Sequence, residues 1–183
     1  MHTLIVGSHQ TGRGPFIDRL LSALGPELKL YGYRSVKEPP GEDGNCPIYI
    51  YPAAGERLRG QDNLLGWCKA QRATVNPEAF ERYACLIEGA RPDGLLVLDE
   101  IGPMESASPR FCAAVLAALD GRIPVLASVR DKDTPFLERV RTHQNVRCFT
   151  LARDNAETLY PDVLDFLRLQ IKGHFQSELR DRA

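Results

Sequence analysis

The sequence predicts an α/β fold with a mainly parallel central sheet, and three observations support this. Short apolar runs alternate along the chain with segments of helical spacing, which is typical of βαβ units. A glycine-bearing loop at residues 7–14 joins the first apolar run to the first helical segment. The run at residues 94–98 is apolar throughout, as in central parallel strands, and it ends in the acidic pair Asp99 and Glu100.

The predicted strands are short apolar runs bounded by glycine, proline or polar residues. In chain order they cover residues 3–6, 30–33, 47–51, 94–98, 124–129 and 146–151. The first strand is closed by Gly7. The second and third strands flank the sequence EPPGEDGN at 38–45, which is rich in turn-forming residues. We therefore expect 38–66 to form a small antiparallel hairpin insertion, within a single domain that covers residues 1–183.

The predicted helices carry apolar side chains every three or four residues and have start or stop signals at their ends. In chain order they cover residues 15–24, 77–89, 109–119, 135–141 and 160–171. Proline stands at the first helical position after Asn76, Ser108 and Thr134, which are residue types that cap helices well. Gly25 and Gly121 end two of the helices.

Composition and charge narrow the class of protein. The chain has 183 residues, of which 43% are hydrophobic and 26% charged, and its net charge is −1. These values indicate a globular protein without the basic excess that nucleic acids or anionic membranes attract. The five cysteines form no CxxC motif, and no run of the sequence reaches the apolar length of a membrane span, so we expect neither a signal peptide nor a membrane-spanning helix. We expect a cytoplasmic protein whose partners include neither nucleic acid nor membrane.

The loop after the first strand predicts a phosphate-binding site. Its residues are Gly7, Ser8, His9, Gln10, Thr11, Gly12, Arg13 and Gly14. The two outer glycines have the spacing of the pattern G-x-x-x-x-G-K-[ST], in which backbone N–H groups and a helix N-terminus bind phosphate. Arg13 replaces the lysine, Gly14 replaces the hydroxyl residue that ligates Mg²⁺, and Pro15 lacks an N–H. Taken alone, the loop also fits an ordinary strand-to-helix turn.

Asp99 and Glu100 form the second chemical motif. An aspartate at the end of a central strand can hold Mg²⁺, and a neighbouring glutamate can orient or deprotonate an attacking water. An acidic start to a surface loop is the alternative interpretation. The acidic pair together with the glycine loop favours nucleotide chemistry more strongly than either motif alone.

Several segments resemble one known family. The sequence LDEIGPME at 98–105, followed by SPRF at 108–111, is similar to the signature of the small P-loop nucleoside triphosphatases called cancer-related nucleoside triphosphatases. Further similar segments are GYR at 32–34, VNPEAF at 75–80 and PFLERVR at 135–141. The resemblance implies a P-loop NTPase fold, a Rossmann-like three-layer sandwich, with Mg²⁺-dependent hydrolysis of ATP, GTP and other triphosphates. It also implies that Asp99 is the metal-side acid and Glu100 the catalytic acid, while Pro103 replaces the family's usual lysine.

Three functional hypotheses follow from these motifs. In the first, a slow nucleoside triphosphatase, residues 7–14 bind the nucleotide, Arg13 pairs with phosphate oxygens, Asp99 holds Mg²⁺ and Glu100 positions water. The second is a regulatory protein that binds a nucleotide or another anion without useful turnover. The third is a phosphotransferase. The intact acidic pair favours the first hypothesis, whereas the missing lysine and hydroxyl favour the second.

Other polar residues are assigned to the surface or to the nucleotide base. Four arginines lie where kinase-type P-loop proteins place a mobile lid, and a solvated face is the favoured interpretation for Arg130, Arg139, Arg141 and Arg147. His9 is interpreted as a solvated loop histidine. By analogy with related folds, Arg153 and Asn155 follow the last strand at a position that contacts the base.

Overall fold

The computed structural model of the chain describes residues 1–8, 10–69 and 72–181. In these residues eight strands form one sheet. They are β1 (His2–Gly7), β2 (Lys29–Lys37), β3 (Cys46–Pro52), β4 (Leu64–Lys69), β5 (Arg72–Val75), β6 (Gly94–Ile101), β7 (Val125–Arg130) and β8 (Val146–Thr150). Their order across the sheet is β5-β4-β3-β2-β6-β7-β1-β8.

Five of the strands form a parallel core. Each neighbouring pair in the series β2, β6, β7, β1, β8 is parallel, so the carboxyl ends of all five lie at one edge of the sheet. β7 separates β1 from β6. The loop after β1 and the acidic end of β6 therefore occupy the same edge, where open α/β sheets bind their ligands.

Helices cover both faces of the sheet. In the described residues they are α1 (Arg13–Leu24), α2 (Pro77–Tyr83), α3 (Cys85–Glu88), α4 (Pro109–Asp120), α5 (Pro135–Arg141) and α6 (Ala156–Asp181). One buried cluster includes Leu98 and Phe111, and a second includes Val97 and Ile17. Adjacent strand residues point to opposite faces, so Leu98 and Val97 of β6 place one cluster on each side. The predicted three-layer α/β sandwich is confirmed.

Most helix boundaries follow the capping signals in the sequence. The hydroxyl groups of Ser108 and Thr134 accept hydrogen bonds from N–H groups in the first turns of α4 and α5. Asn76 instead donates its side-chain amide to the carbonyl of Leu64. The helix predicted over 77–89 is divided into α2 and α3. None of the helices in the described part of the chain combines the length and apolar character needed to cross a membrane.

The antiparallel part of the sheet is larger than the predicted insertion. β3, β4 and β5 continue the sheet from β2 by antiparallel pairing. The hairpin predicted within 38–66 is thus a three-strand extension that reaches Val75, and β2 is longer than the predicted strand at 30–33. Gly66 permits the close approach of β4 and β5, since a Cβ there would lie 1.9 Å from the carbonyl oxygen of Thr74. A glycine and a register shift break the alternation that would have revealed these strands.

Replacement of Phe111 by alanine should lower the free energy of unfolding by about 3–5 kcal/mol, the usual cost of truncating a buried phenylalanine. The side chain is fully buried, and its ring centroid lies 5.2 Å from those of both Tyr33 and Phe80. Urea unfolding measures the loss. Leu169, which is 69% exposed, is the control, and Leu169→Ala should change stability by less than about 0.5 kcal/mol. Equal losses in the two variants would contradict this packing.

Candidate active site

The loop between β1 and α1 is a tight turn that requires glycine at two positions. A Cβ at Gly7 would lie 2.6 Å from the hydroxyl of Thr11 and 2.9 Å from the carbonyl oxygen of Leu151. Gly12, the residue before the helix, has a φ of +81°, in the left-handed region that glycine adopts without strain. Lack of space at Gly7 and a left-handed backbone at Gly12 therefore explain both glycines of the predicted pattern.

Arg13 opens α1 and turns its side chain back into the loop. Its Nη1 donates to the carbonyl of Gly7 at 2.7 Å, and its Nη2 lies 3.1 Å from Oε1 of Glu100. The side chain is only 7% exposed. Burial lowers the pKa of Arg13, and the charge of Glu100 opposes that shift. Arg13 therefore joins the predicted phosphate loop to the predicted catalytic acid.

Arg130 is a second arginine on Glu100. It ends β7, and its Nε donates to the same Oε1 atom that Arg13 contacts. The interpretation of Arg130 as part of a solvated face was wrong, because its side chain is ion-paired and only 34% exposed. Arg130 is level with Gly7 in the pairing of β7 with β1. The sequence indicated that Arg130 follows a strand. It did not indicate that this strand, β7, pairs with β1 and so brings Arg130 to the glycine loop.

The other arginines of this region lie on the surface or pair locally. Arg139 and Arg147 are exposed, as expected. Arg141 pairs with Asp131 at 3.4 Å and with Asp133 at 3.3 Å. Of the four arginines that follow β7, Arg130 is thus the one that we place in the candidate site.

Asp99 lies beside Glu100 and has a donor on each carboxylate oxygen. Oδ2 accepts from Nε of Arg34 at 2.7 Å, and Oδ1 accepts from the hydroxyl of Ser128 at 2.5 Å. Strand register explains both contacts, since Arg34 of β2 and Ser128 of β7 are the residues that pair with Asp99. Nη2 of Arg34 also lies 2.9 Å from Asp18 in α1. Burial opposes the charge of Arg34, but Asp99 and Asp18 outweigh it and raise the pKa of Arg34.

Glu105 is a third carboxyl group near this pair. It is buried just after β6, and its Oε2 accepts from the N–H of Gly102 at 2.7 Å. Burial raises the pKa of Glu105 to about 7, and the charge of Glu100 adds to that shift. Glu105 had no predicted role of its own. Its place in the motif LDEIGPME was visible, but its burial depends on the packed structure.

The remaining loop residues have local contacts. The hydroxyl of Thr11 donates to the carbonyl of Ser8 at 3.1 Å. A Cβ at Gly14 would meet no heavy atom within 4 Å, so there is space beside the first turn of α1. His9, which was predicted to belong to the nucleotide-binding loop, lies outside the described residues.

The two residues assigned to the nucleotide base differ in their contacts. Arg153 donates from Nη2 to the side-chain oxygen of Gln10 at 2.7 Å, so it reaches the phosphate loop. Asn155 uses its amide within its own turn, where it accepts from the N–H of Ala152 and donates to the carbonyl of Thr150.

The groups around Glu100 form a site suited to an anion and a water molecule. The first N–H groups of α1 have no acceptor within the helix, and they face the loop with the positive end of the helix dipole. Arg13 and Arg130 add two guanidinium groups at the same place. Glu100 supplies a carboxylate that can accept a proton.

Comparison with known proteins settles the family. A protein family described as NTPase matches residues 2–164. This chain belongs to that NTPase family. A relative from Mus musculus, named cancer-related nucleoside-triphosphatase homolog, is 30% identical over 182 residues, which covers 89% of this chain and 94% of the relative.

Other members of the NTPase family are similar over shorter stretches or in structure. Nucleoside-triphosphatase THEP1 of Thermotoga petrophila is 34% identical over 83 residues, covering 45% of this chain and 46% of the relative. The chain thus spans less than half the length of this relative. The crystal structure of THEP1 from Aquifex aeolicus superposes with a TM-score of 0.71 over 91% of this chain and 99% of that chain, at 20% identity. This likeness shows that the two proteins share a fold.

P-loop NTPases generally use a divalent metal, held by a loop hydroxyl and an acidic residue. The residues of this site do not fit such an ion. Gly14 brings no hydroxyl, and both carboxylate oxygens of Asp99 already accept hydrogen bonds. Within residues 1–8, 10–69 and 72–181, no group of three His, Cys, Asp or Glu side chains is arranged to hold a metal.

Replacement of Glu105 by glutamine should remove part of the pH dependence of stability. Because its folded-state pKa is raised from 4.5 to about 7, the folded protein binds this proton more tightly than the unfolded chain. Wild type should therefore lose about 1–3 kcal/mol of stability from this group as the pH rises from about 4.5 to about 7, with no further loss above that range.

Urea unfolding of wild type and Glu105→Gln across that pH range checks this expectation. As the pH rises, the free energy of unfolding of wild type should fall relative to that of Glu105→Gln. Glu138→Gln, at an exposed position of α5, is the matched control and should follow wild type. Parallel curves for wild type and Glu105→Gln would show that Glu105 ionises normally.

Proposed function

We propose that this protein hydrolyses nucleoside triphosphates of the ATP or GTP type, and that it does so slowly. The observation that carries the proposal is the convergence of Arg13 and Arg130 on one oxygen of Glu100, beside the glycine loop. Phosphate oxygens accept charge-assisted hydrogen bonds from guanidinium groups as carboxylate oxygens do. The two arginines therefore suit the terminal phosphate of a nucleotide. The names of the relatives in the NTPase family support the same activity.

In this proposal the loop at 7–14 and the first turn of α1 bind the phosphate chain through backbone N–H groups. Arg13 and Arg130 exchange the Oε1 atom of Glu100 for oxygens of the γ-phosphate. The exchange frees the carboxylate of Glu100 next to the phosphorus that reacts. Arg153, which reaches Gln10 in the loop, can help to hold the loop in place.

Glu100 then acts on the attacking water. The carboxylate accepts a proton from the water while the water oxygen forms a bond to the γ-phosphorus. The bond between that phosphorus and the β,γ-bridging oxygen breaks, and its electron pair stays with the nucleoside diphosphate. The guanidinium groups of Arg13 and Arg130 stabilise the charge that develops on the phosphate oxygens. The products are a nucleoside diphosphate and inorganic phosphate.

Three departures in the loop explain why turnover should be slow. Arg13 is bulkier and more rigid than the usual lysine, Gly14 lacks a hydroxyl, and Pro15 lacks an N–H. Loss of one well-placed donor to the developing charge can lower a rate by about 10²–10³. Because the three residues share one site, their effects should not be multiplied together.

A nucleotide-binding or anion-binding regulatory protein without useful turnover is the second candidate. One observation favours it: two arginines are paired with Oε1 of Glu100, and as long as they stay there, that oxygen is not available to a water molecule. A phosphotransferase remains an outcome that product analysis would reveal, since the γ-phosphate would then appear on an acceptor other than water.

Magnesium enters this proposal as the companion of the nucleotide substrate, since Asp99 already has the guanidinium group of Arg34 as its counter-ion. The single domain over residues 1–183 and the cytoplasmic location stay predictions from the sequence. The expectation that nucleic acid and membranes are not partners also stays a prediction.

Arg13→Ala should weaken ATP binding by about tenfold or more, because a hydrogen bond to a charged group contributes about 1.5–3 kcal/mol. Titration calorimetry measures the affinity. Arg13→Lys keeps the charge and should retain part of the affinity. Arg139→Ala removes an exposed arginine from α5 and is the control for net charge. Unchanged affinity in Arg13→Ala, with the fold intact, would remove Arg13 from the phosphate site.

A repaired loop should hydrolyse faster, and Glu100 should be required for the gain. Arg13→Lys combined with Gly14→Thr restores the usual pair, in which the hydroxyl can ligate the Mg²⁺ that accompanies the nucleotide, and should raise phosphate release by about tenfold or more. Adding Glu100→Gln should abolish that gain, because the glutamine amide cannot accept a proton from water. The nucleotide affinity should be kept. Adding Pro15→Thr tests whether the missing N–H limits the recovery.

Two outcomes of that series would count against the proposal. If wild type releases phosphate as fast as the repaired loop, Arg13 is a competent substitute for lysine and the loop does not slow the reaction. If Glu100→Gln leaves the rate of the repaired protein unchanged, Glu100 is not the base. Glu138→Gln in the same background is the control for loss of one surface carboxylate.

A further inference from the structure

Arg34 occupies an unusual place for a cation. It is 9% exposed, and its Nε lies 2.7 Å from Oδ2 of Asp99, which is 5% exposed. Asp99 lies near the carboxyl end of the central strand β6, the position from which an acidic residue of a P-loop NTPase faces the metal. In this chain a guanidinium group therefore lies where the charge of a divalent ion would be needed.

We propose that the Arg34 guanidinium is the resident cation of the Asp99 site and takes the place of a protein-held divalent metal ion. The consequence is that nucleotide binding by this chain does not require the protein to bind Mg²⁺. The part of the inference that concerns nucleotides rests on the proposed function, whereas the part that concerns metal exclusion stands on the geometry alone.

Two carboxylates hold Arg34 in place. Asp99 contacts Nε from β6, and Asp18 contacts Nη2 from α1 at 2.9 Å. An arginine side chain does not lose its proton in proteins, so this charge cannot be removed by a change of pH. A divalent ion would have to displace a tethered guanidinium or lie against a like charge in a buried site, and both are unfavourable.

The oxygens of Asp99 also accept hydrogen bonds, with which a metal ion would have to compete for lone pairs. Ser128 donates its hydroxyl to Oδ1 of Asp99 at 2.5 Å, so each carboxylate oxygen has a partner. In the phosphate loop Gly14 offers no hydroxyl, although there is space for a side chain at that position. The loop therefore lacks the hydroxyl ligand of P-loop NTPases, and Asp99 has a cation of the protein itself.

Charge balance supports the same conclusion. The residues joined by ion pairs at this edge are the three cations Arg13, Arg34 and Arg130 and the three anions Asp18, Asp99 and Glu100. Their formal charges cancel without a metal. Removing Arg34 would leave Asp99 as a buried anion without its counter-ion, which strongly favours uptake of another cation.

Manganese binding tests the inference without any nucleotide. Electron paramagnetic resonance detects free Mn²⁺, and wild type should take up none at Asp99 at up to about 1 mM, a concentration that fills weak divalent sites. Arg34→Ala should bind Mn²⁺, and MgCl₂ should raise its melting temperature but not that of wild type. Adding Asp99→Asn to Arg34→Ala should remove both effects. Arg59→Ala, which breaks the exposed pair with Glu38, is the control.

Two further variants keep the test decisive. If Arg34→Ala folds poorly, Arg34→Gln keeps a hydrogen-bond donor without the charge and should also gain Mn²⁺ binding, whereas Arg34→Lys should not. Mn²⁺ uptake by wild type that Asp99→Asn abolishes would overturn the inference. Failure of both Arg34→Ala and Arg34→Gln to bind Mn²⁺, when folded, would overturn it as well.

Measurements of ATP affinity with and without magnesium distinguish a failure of this inference from a failure of the proposed function. Wild type should bind ATP with affinities in EDTA and in MgCl₂ that agree within about threefold, which is less than about 1 kcal/mol. ATP binding that requires MgCl₂ and is lost in Asp99→Asn would overturn the role of Arg34. If ATP binds under neither condition, the proposed function fails, and the manganese measurements still decide whether Arg34 excludes the metal.

Discussion

Register across the parallel strands determines which side chains meet at the functional edge of the sheet. Arg34, Asp99 and Ser128 are level on β2, β6 and β7, and Gly7 and Arg130 are level on β1 and β7. A slip of one residue would turn the whole hydrophobic set of a strand to the other face. A slip would also disrupt the packing of the central strands against the helices and separate the charged groups that this register brings together.

The charged groups are costly to bury and useful only as a set. Taking ions out of water costs free energy that their mutual attraction offsets only when every partner is present. Arg13 and Arg130 share Glu100, while Arg34 is shared by Asp99 and Asp18. The two groups of ion pairs lie on adjacent residues of β6. Such an arrangement contributes little net stability, and it favours one specific geometry at the site.

The sequence predicted those parts of the molecule that depend on local signals. Apolar runs and capping residues located the core strands and most helices, and the spacing of Gly7 and Gly12 located the loop. The contacts of Arg34 and Arg130 were not predicted, and Arg130 was wrongly assigned to a solvated face, because these contacts depend on which strands are neighbours and no local pattern encodes strand order. β4 and β5 were missed for a different reason. β5 is a four-residue, mostly exposed edge strand, and in β4 a glycine and a register shift against β3 interrupt the alternation.

The bridge from Asp18 through Arg34 to Asp99 also has a mechanical consequence. It fastens helix α1, whose first turn borders the phosphate loop, to strand β2, which continues by hydrogen bonding into β3, β4 and β5. A displacement of α1 would therefore have to stretch or break the contact of Asp18 with Arg34 on β2. The antiparallel strands lie beyond β2, on the side of the sheet away from the glycine loop, so this bridge is a side-chain contact between the phosphate-loop helix and the strand from which they extend.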